Sequence, residues 1–346
     1  MNKQSIFYLA GLLIFLTASS CNQGQKANLN AKNDSTEVVL NNIPDKDTTA
    51  TSVETPGSSA EGFDQIPLVE QFQPGNKAVP PGKNRKEEMF KQITFKGKGA
   101  EERRLGIDLA SKGDLNGAIE QFTKSIAIHE RNPDAYFYRG KAKWELKDFK
   151  GADKDFSQAI SIRPMQAPYY YYRAQMYLEQ SRYSEALSDF NSTLKYAPTY
   201  TDALNYKGVV LAKLGRHQEA IAAYDTAIVQ IPGHALAYYN KGTSLAALKK
   251  FTEADEMFTR SIDIDPDYIQ AYTNRGNCRF MLNRFDDAAN DYTIVIEKQP
   301  KNADAYYNRA FSLQRTNKLT EACADWKKAI ELGHKNAANM LEKYCK

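Results

Sequence analysis

Residues 133–166 read PDAYFYRGKAKWELKDFKGADKDFSQAISIRPMQ, and the pattern of this stretch returns along the chain every 34 residues. A glycine or alanine recurs at this spacing, at Gly106, Gly140, Ala174, Gly208, Gly242, Gly276 and Ala310. Twelve positions further on there is always an alanine, namely Ala118, Ala152, Ala186, Ala220, Ala254, Ala288 and Ala322. Four positions beyond each alanine lies a large aromatic residue, Phe122, Phe156, Phe190, Tyr224, Phe258, Tyr292 or Trp326. Repetition at a period of about 20–50 residues predicts an array of one small structural unit.

The residue types at these positions predict a pair of helices in each unit. Small residues let two helices approach closely, and the aromatic side chain fills the space between neighbouring pairs. A proline cannot continue a helix, and one closes most of the units, at Pro164, Pro198, Pro232, Pro266 and Pro300. Helix pairs of this kind bury their apolar faces only by stacking on one another. The sequence therefore predicts an all-α stack.

The recurring small residues, aromatic residue and terminal proline resemble the tetratricopeptide repeat. The resemblance covers residues 99–336, in seven units: 99–132, 133–166, 167–200, 201–234, 235–268, 269–302 and 303–336. It implies an α-solenoid of seven 34-residue helix-turn-helix repeats in a right-handed superhelix. We expect residues 337–346 to form a C-terminal capping helix, and residues 86–98 are a candidate for an N-terminal one.

The N-terminal residues have the pattern of a secretory signal. Lys3 precedes an apolar run at residues 6–17, and small residues and then Cys21 follow. About a dozen apolar residues are too few to span a bilayer as a helix, whereas this order of features is typical of a cleaved signal. A cysteine directly after the small residues resembles a bacterial lipoprotein signal, although Ala18 stands where that family commonly has Leu. The alternative is an ordinary secreted protein with a chance cysteine at this position.

The lipoprotein resemblance implies that residues 1–20 are a signal peptide and that Cys21 is lipidated and becomes the new N-terminus. The protein would then be anchored by lipid in the cell envelope, at the periplasmic face of the outer membrane. Residues 21–85 are rich in Asn, Asp, Thr, Ser, Lys and Pro and poor in the large apolar residues whose burial offsets the entropy cost of ordering. We expect this segment to be a disordered tether.

A basic residue precedes the small residue in six units, and each arginine among them has an aspartate sixteen positions later. The pairs are Arg139–Asp155, Arg173–Asp189, Arg275–Asp291 and Arg309–Asp325. These two positions lie opposite each other in an antiparallel hairpin, and a guanidinium pairs bidentately with a carboxylate. We therefore predict four internal ion pairs, with an anion-binding groove as the alternative. Lys207 and Lys241 have no such aspartate, so we expect them to be freer to face a ligand.

The candidate binding surface follows from the family resemblance. In tetratricopeptide arrays the first helix of each hairpin lines the inside of the superhelix, and the sixth position of the unit faces the groove. That position holds Arg104, Tyr138, Tyr172, Tyr206, Asn240, Asn274 and Asn308, and Phe137, Trp144 and Tyr171 reinforce its tyrosine end. Tyr and Trp combine contact area with a polar group, and an Asn amide can pair with one peptide unit of an extended chain. The alternative is that these side chains pack between neighbouring first helices.

The remaining cysteines, the histidines and the glycines have spacings typical of structural residues rather than of a catalytic site. Folding the last hairpin about residues 333–334 brings Cys323 opposite Cys345, so a disulfide there is plausible in an oxidising compartment. Cys278 has the pattern of a small buried apolar residue. The histidines are not spaced to share a metal, and the glycines recur at the repeat period rather than in a phosphate-binding loop. We therefore expect no enzyme activity, no cofactor and no metal.

The sequence favours a scaffold or assembly factor of the bacterial cell envelope that binds an extended segment of another protein in the groove. The alternative is a glycan- or peptidoglycan-binding module that uses the exposed rings of the tyrosine end. Nucleic acid is not an expected partner, because the net charge is only +4 and charges alternate along the helices.

Overall fold

The computed structural model describes residues 97–345. The expected signal peptide, the lipidated Cys21 and the tether at 21–85 lie outside the described residues, as does nearly all of the candidate helix at 86–98. The described part consists of α-helices joined by short turns, with no β-strand. None of these helices is both long enough and apolar enough to cross a membrane. The predicted all-α repeat architecture is confirmed.

The helices alternate between a first and a second helix in each hairpin. The first helices are α1 Ala100–Ser111, α3 Pro133–Glu145, α5 Ala167–Glu179, α7 Thr201–Lys213, α9 Ala235–Ala247, α11 Ile269–Met281 and α13 Ala303–Arg315. The second helices are α2 Leu115–Ile128, α4 Phe149–Ile162, α6 Tyr183–Tyr196, α8 His217–Gln230, α10 Phe251–Ile264, α12 Phe285–Lys298 and α14 Leu319–Glu331. A shorter helix, α15 Ala337–Tyr344, follows the last hairpin.

Each hairpin turns through one residue in the left-handed backbone region. This residue is Gly113, Lys147, Ser181, Gly215, Lys249, Asn283 or Asn317. In the second hairpin the Lys147 amide donates to the Trp144 carbonyl at 2.8 Å, and the next amide reaches the Lys143 carbonyl at 2.9 Å. A left-handed residue placed there ends the first helix by satisfying its last carbonyls. Five of the seven turns use a non-glycine residue, which carries a backbone cost.

The two helices of a hairpin approach closely because a small residue faces the aromatic ring. Phe122, Phe156, Phe190, Tyr224, Phe258, Tyr292 and Trp326 are all fully buried. A Cβ atom added to Gly208 would lie 2.4 Å from Cε1 of Tyr224, and one added to Gly242 would lie 2.9 Å from Cε1 of Phe258. The repeating Gly or Ala therefore sets the spacing between the two helices.

The first helices form the inner layer of the stack. Each first helix from α1 to α9 contacts the first helix of the next hairpin, while each second helix packs against the first helix that follows it. A stack curves toward the layer whose helices approach each other more closely. Side chains from successive first helices consequently lie side by side on one continuous surface, which we call the inner face.

The last hairpin is closed by α15, which replaces the contact that an eighth hairpin would make. The Tyr344 ring stacks on the fully buried Trp326 ring, with centroids 5.5 Å apart. Cys323 and Cys345 are joined by a disulfide, with their Cα atoms 5.8 Å apart. The helix is thus held over the apolar end of the stack by both packing and a covalent bond, as a terminal cap requires.

Candidate binding surface

The structure brings together all four arginine–aspartate pairs. Arg139 Nε and Nη2 donate to the two carboxylate oxygens of Asp155 at 2.8 and 2.7 Å. The other three pairs, Arg173–Asp189, Arg275–Asp291 and Arg309–Asp325, have the same two-bond geometry, with distances of 2.7–3.1 Å. The carboxylates are buried and the guanidiniums are mostly covered. The row of arginines is therefore internal bracing rather than an anion-binding groove.

Burial acts against ionisation of these carboxyl groups. It raises the pKa of Asp189 and of Asp291 above the ordinary value, while the hydrogen bonds from Arg173 and Arg275 lower it. A buried carboxylate without its arginine would keep the full desolvation penalty. The main contribution of each pair is therefore that the two charges offset each other's desolvation penalty.

Each of these arginines also makes a third bond, which was not predicted from the sequence. Nη1 donates to a hydroxyl on the second helix of the preceding hairpin, in the pairs Arg139–Thr123, Arg173–Ser157, Arg275–Thr259 and Arg309–Thr293, at 2.8–3.1 Å. The sequence signal is a Ser or Thr sixteen positions before each arginine. One guanidinium thus links the two helices of its own hairpin and fastens that hairpin to the previous one.

The two lysines in this row differ from what their spacing predicts. Lys241 is not free for a ligand, because its ammonium lies 2.6 Å from Asp225 on the second helix of the preceding hairpin. The acid stands sixteen positions before the lysine instead of sixteen after it. Lys207 is partly exposed, and among residues 97–345 no hydrogen bond or ion pair to its ammonium is recorded. Only Lys207 keeps the availability expected from the sequence.

The tyrosine end of the inner face is a cluster of contacting rings. Tyr138 packs edge-on to Phe137, with centroids 5.1 Å apart, and Tyr171 packs edge-on to Tyr172 at 5.4 Å. Tyr206 lies parallel to the ring of Phe190 at 5.8 Å and edge-on to Tyr171 at 5.9 Å. Tyr138, Tyr171 and Tyr206 are buried, and Tyr172 is partly exposed. The rings therefore pack between neighbouring helices, which is the alternative stated for them.

Trp144 is not an open part of the groove. It is buried, and its indole Nε1 donates to Glu179 Oε2 at 2.7 Å. Lys147 pairs with the other oxygen of the same carboxylate. Because Glu179 ends the next first helix, Trp144 links two hairpins at the end of the inner layer. Its amphipathic ring suits this position, with an apolar body inside and a donor at the edge.

The asparagine row is also used partly within the fold. Asn240 Nδ2 donates to Asn205 Oδ1 at 3.0 Å, and Asn274 Nδ2 donates to the Tyr239 hydroxyl at 3.1 Å. Both asparagines are buried, whereas Asn308 is partly exposed. Asn240 Oδ1 accepts no hydrogen bond although it is buried. The amide donors thus join neighbouring first helices, and one acceptor remains unused.

A buried lysine that was not predicted to belong to this surface lies among the tyrosines. Lys141 is 1% exposed, and its ammonium lies 4.1 Å from the Tyr172 ring centroid, 5.3 Å from that of Phe137 and 5.5 Å from that of Tyr138. Burial lowers the pKa of this lysine well below the ordinary value. Cation–π contact partly offsets the loss of water. Its sequence signal is a charge at a position where the other units have uncharged residues.

No group of three or more potential metal ligands lies together within residues 97–345. Cys278, on α11, is fully buried, and burial raises the pKa of its thiol.

Family models support the repeat assignment along the chain. Models described as tetratricopeptide repeats match residues 133–164, 171–235, 235–268 and 292–324, and one described as a TPR repeat matches residues 106–147. No curated protein matches the chain.

Solved structures show the same fold at low sequence identity. A tetratricopeptide repeat protein from Parabacteroides merdae is 20% identical, with a TM-score of 0.54 over 72% of this chain and 99% of its own. The C-terminal part of a TPR repeat-containing protein from Cytophaga hutchinsonii is 20% identical, with a TM-score of 0.59 over 68% of this chain and 98% of its own. Pseudomonas aeruginosa pilF is 14% identical, with a TM-score of 0.52 over 59% of this chain and 92% of its own.

Helical hairpins at a constant period, the buried small-residue and aromatic contacts and the matching family models agree with one another. The chain is a tetratricopeptide repeat protein, with the all-α architecture of a protein–protein interaction scaffold.

Proposed function

We propose that this protein is a scaffold of the bacterial cell envelope that binds an extended segment of a partner protein along the inner face. Cys21 would carry the lipid that anchors it to the membrane. The partner would lie across successive first helices, so that several hairpins each contribute a contact. No catalytic step is part of this proposal.

The observation that carries the proposal is the unused acceptor of Asn240. Its Nδ2 is held by Asn205, so the orientation of the side chain is fixed. Its Oδ1 is buried and accepts no hydrogen bond. A buried polar atom without a partner costs free energy. A main-chain N–H of an extended peptide would remove this cost once the side chains that cover Oδ1 move aside on binding. Asn274, which is also buried, and the partly exposed Asn308 occupy the equivalent position in the next two hairpins.

The tyrosine end favours a peptide over a glycan. Sugar binding by aromatic residues needs an open ring face, and the rings of Tyr138, Tyr171 and Tyr206 are buried and in contact with one another or with phenylalanines. Tyr172 is partly exposed, and its ring packs edge-on against that of Tyr171 at 5.4 Å. Among the described tyrosines at this end, the buried rings thus offer little open face for a pyranose ring to stack on.

Capture of partners from envelope extracts tests the proposal. The bait is the full chain, either unchanged, with Tyr172→Ala and Asn308→Ala on the inner face, or with Lys154→Ala and Ser188→Ala on the exposed outer face. We expect the inner-face variant to lose partners that the unchanged chain and the outer-face variant retain. Circular dichroism of all three proteins checks that the fold is intact. Recovery of the same partners by all three would contradict binding on the inner face.

A further inference from the structure

Most junctions between successive hairpins contain the same polar link, which we call the staple. It is the bond from the basic residue before the small position to the second helix of the preceding hairpin. Staples are present in the pairs Arg139–Thr123, Arg173–Ser157, Lys241–Asp225, Arg275–Thr259 and Arg309–Thr293, at 2.6–3.1 Å. The staple therefore occurs at five of the six junctions within residues 97–345.

The junction between the third and fourth hairpins has no staple. Lys207 holds the basic position there, and the residue sixteen positions before it is Asn191. No bond from Lys207 to Asn191, or to any acid, is recorded in the described part of the chain. The internal ion pair of the fourth hairpin is also missing, because Ala223 stands where the third hairpin has Asp189. Both polar links that fasten the third hairpin are thus absent from the fourth.

The core of the fourth hairpin also lacks a buried hydrogen bond that the sixth hairpin has. In the sixth hairpin the buried Tyr292 hydroxyl donates to Asn277 Oδ1 at 2.7 Å. The fourth hairpin has the equivalent buried Tyr224, but Val209 occupies the asparagine position and offers no acceptor. The Tyr224 hydroxyl has no such bond within its own hairpin, and it interacts instead with Ser244 of the fifth hairpin. The two helices of the fourth hairpin therefore lack this internal hydrogen bond.

Packing across this junction includes aliphatic contacts, ring contacts and a hydrogen bond from Gln230 Nε2 to the Pro198 carbonyl at 3.1 Å. Tyr206 lies parallel to Phe190, with an interplanar angle of 5° and centroids 5.8 Å apart, and Tyr171 packs on Tyr200 at 4.7 Å. A bidentate ion pair fixes the relative position of two helices through two parallel bonds, and packed helices without such a link can slide past each other by small amounts. In a repeat array, stability is approximately a sum of units and neighbouring interfaces. We therefore expect motion to concentrate at the interface that lacks the staple.

We propose that the solenoid bends at the junction between the third and fourth hairpins, so that hairpins one to three and four to seven move as two blocks. The hinge lies next to the boundary between the tyrosine and asparagine stretches of the inner face, since Tyr206 is followed one repeat later by Asn240. The two stretches could thus change their mutual angle when a partner binds. The hinge follows from the junction contacts alone and does not depend on the proposed peptide binding.

Distances between spin labels on the full chain test the hinge. Labels are attached to cysteines introduced by Lys154→Cys and Ala222→Cys, which span the unstapled junction. The matched control uses Ala222→Cys and Asn290→Cys, which span two stapled junctions at the same two-repeat separation. All of these positions are exposed on second helices. Cys21→Ser removes the other reactive thiol, because Cys278 is buried and the remaining two cysteines form the disulfide.

We expect the distance distribution across the unstapled junction to be about twofold broader than that of the control pair. Lys207→Arg with Ala223→Asp and Asn191→Thr reproduces the polar set of the third hairpin and should narrow the distribution to the control width. In the opposite direction, Arg173→Lys with Ser157→Ala removes the staple at the second junction and should broaden the Lys154–Ala222 distribution further. Equal widths for the two label pairs in the unchanged background would overturn the proposal, whether or not the variants fold.

Discussion

Arg173 and Asp189 form a buried, two-bond ion pair between the two helices of one hairpin. Nε and Nη2 of the arginine lie 2.7 and 2.9 Å from the two carboxylate oxygens, and Nη1 reaches Ser157 in the preceding hairpin at 2.8 Å. All three bonds use the planar fork of one guanidinium. An ammonium can supply charge at this place but not this geometry.

Removing one member of this pair should destabilise the protein strongly. Arg173→Met leaves Asp189 buried without its partner, and loss of one partner of a buried pair typically costs about 3–5 kcal/mol. Arg173→Met combined with Asp189→Leu removes both charges and should cost less than the single change. Urea unfolding monitored by circular dichroism measures these differences. A double variant that is less stable than the single one would contradict a compensating ion pair.

The tight contact at Gly208 predicts that alanine is more destabilising there than at Gly140. Gly208→Ala places a Cβ atom 2.4 Å from the Tyr224 ring, so the helices must separate, and overpacking of this kind costs roughly 1–3 kcal/mol. The control is Gly140→Ala, where the added Cβ lies 3.2 Å from Phe156 and the cost should be smaller. Melting temperatures of the two variants decide the matter, since equal losses would show that the close approach at Gly208 is not special.

The non-glycine turn residues predict a gain in stability. Lys249 has φ of 60° in an exposed turn, and replacing it by Gly removes a steric cost of about 1 kcal/mol. Asn283 has φ of 59°, but Asn tolerates this region better, so Asn283→Gly should gain less. Urea or thermal unfolding midpoints of both variants measure the two gains. A lower midpoint for Lys249→Gly than for the unchanged chain would contradict the predicted gain in stability.

The fold could be predicted from the sequence because its determinants lie at fixed positions along the chain. A small residue (glycine or alanine), an alanine and an aromatic residue at constant offsets define each hairpin regardless of the rest of the sequence. The four arginine–aspartate pairs were predictable for the same reason, since both partners belong to one unit.

Contacts between units were harder to predict. The partner of Lys241 is Asp225, which lies before it in the preceding hairpin rather than after it in the same one. The place of Lys141 among three rings depends on how one first helix packs on the next. Position along the unit also does not reveal that Trp144 bonds to Glu179. Their residue types are common in binding grooves, but the packing of neighbouring helices determines whether each side chain faces a ligand or the interior.

The disulfide predicts that the cap depends on redox state. Cys345→Ser should free α15 from Cys323 and lower the unfolding temperature, because a bridge across about 20 residues is worth roughly 3 kcal/mol. In the unchanged protein, alkylation without denaturant should leave Cys278 unmodified, since it is buried and its pKa is raised. The intact mass after alkylation shows how many cysteines have reacted, and so measures both the protection of Cys278 and the disulfide. Alkylation of Cys323 and Cys345 without prior reduction would disprove the bridge.

The proposed anchor predicts that Cys21 decides where the protein is found in the cell. The unchanged chain should sediment with membranes and incorporate a labelled fatty acid, because two or more acyl chains hold a protein stably on a bilayer. Cys21→Ser should abolish incorporation and move the protein to the soluble fraction, while the hairpin array, which begins near residue 100, keeps its helical signal. The control is Cys278→Ser, which removes a buried thiol and should leave both fractionation and labelling unchanged. Membrane association that survives Cys21→Ser would mean that another part of the protein, and not this cysteine, makes the attachment.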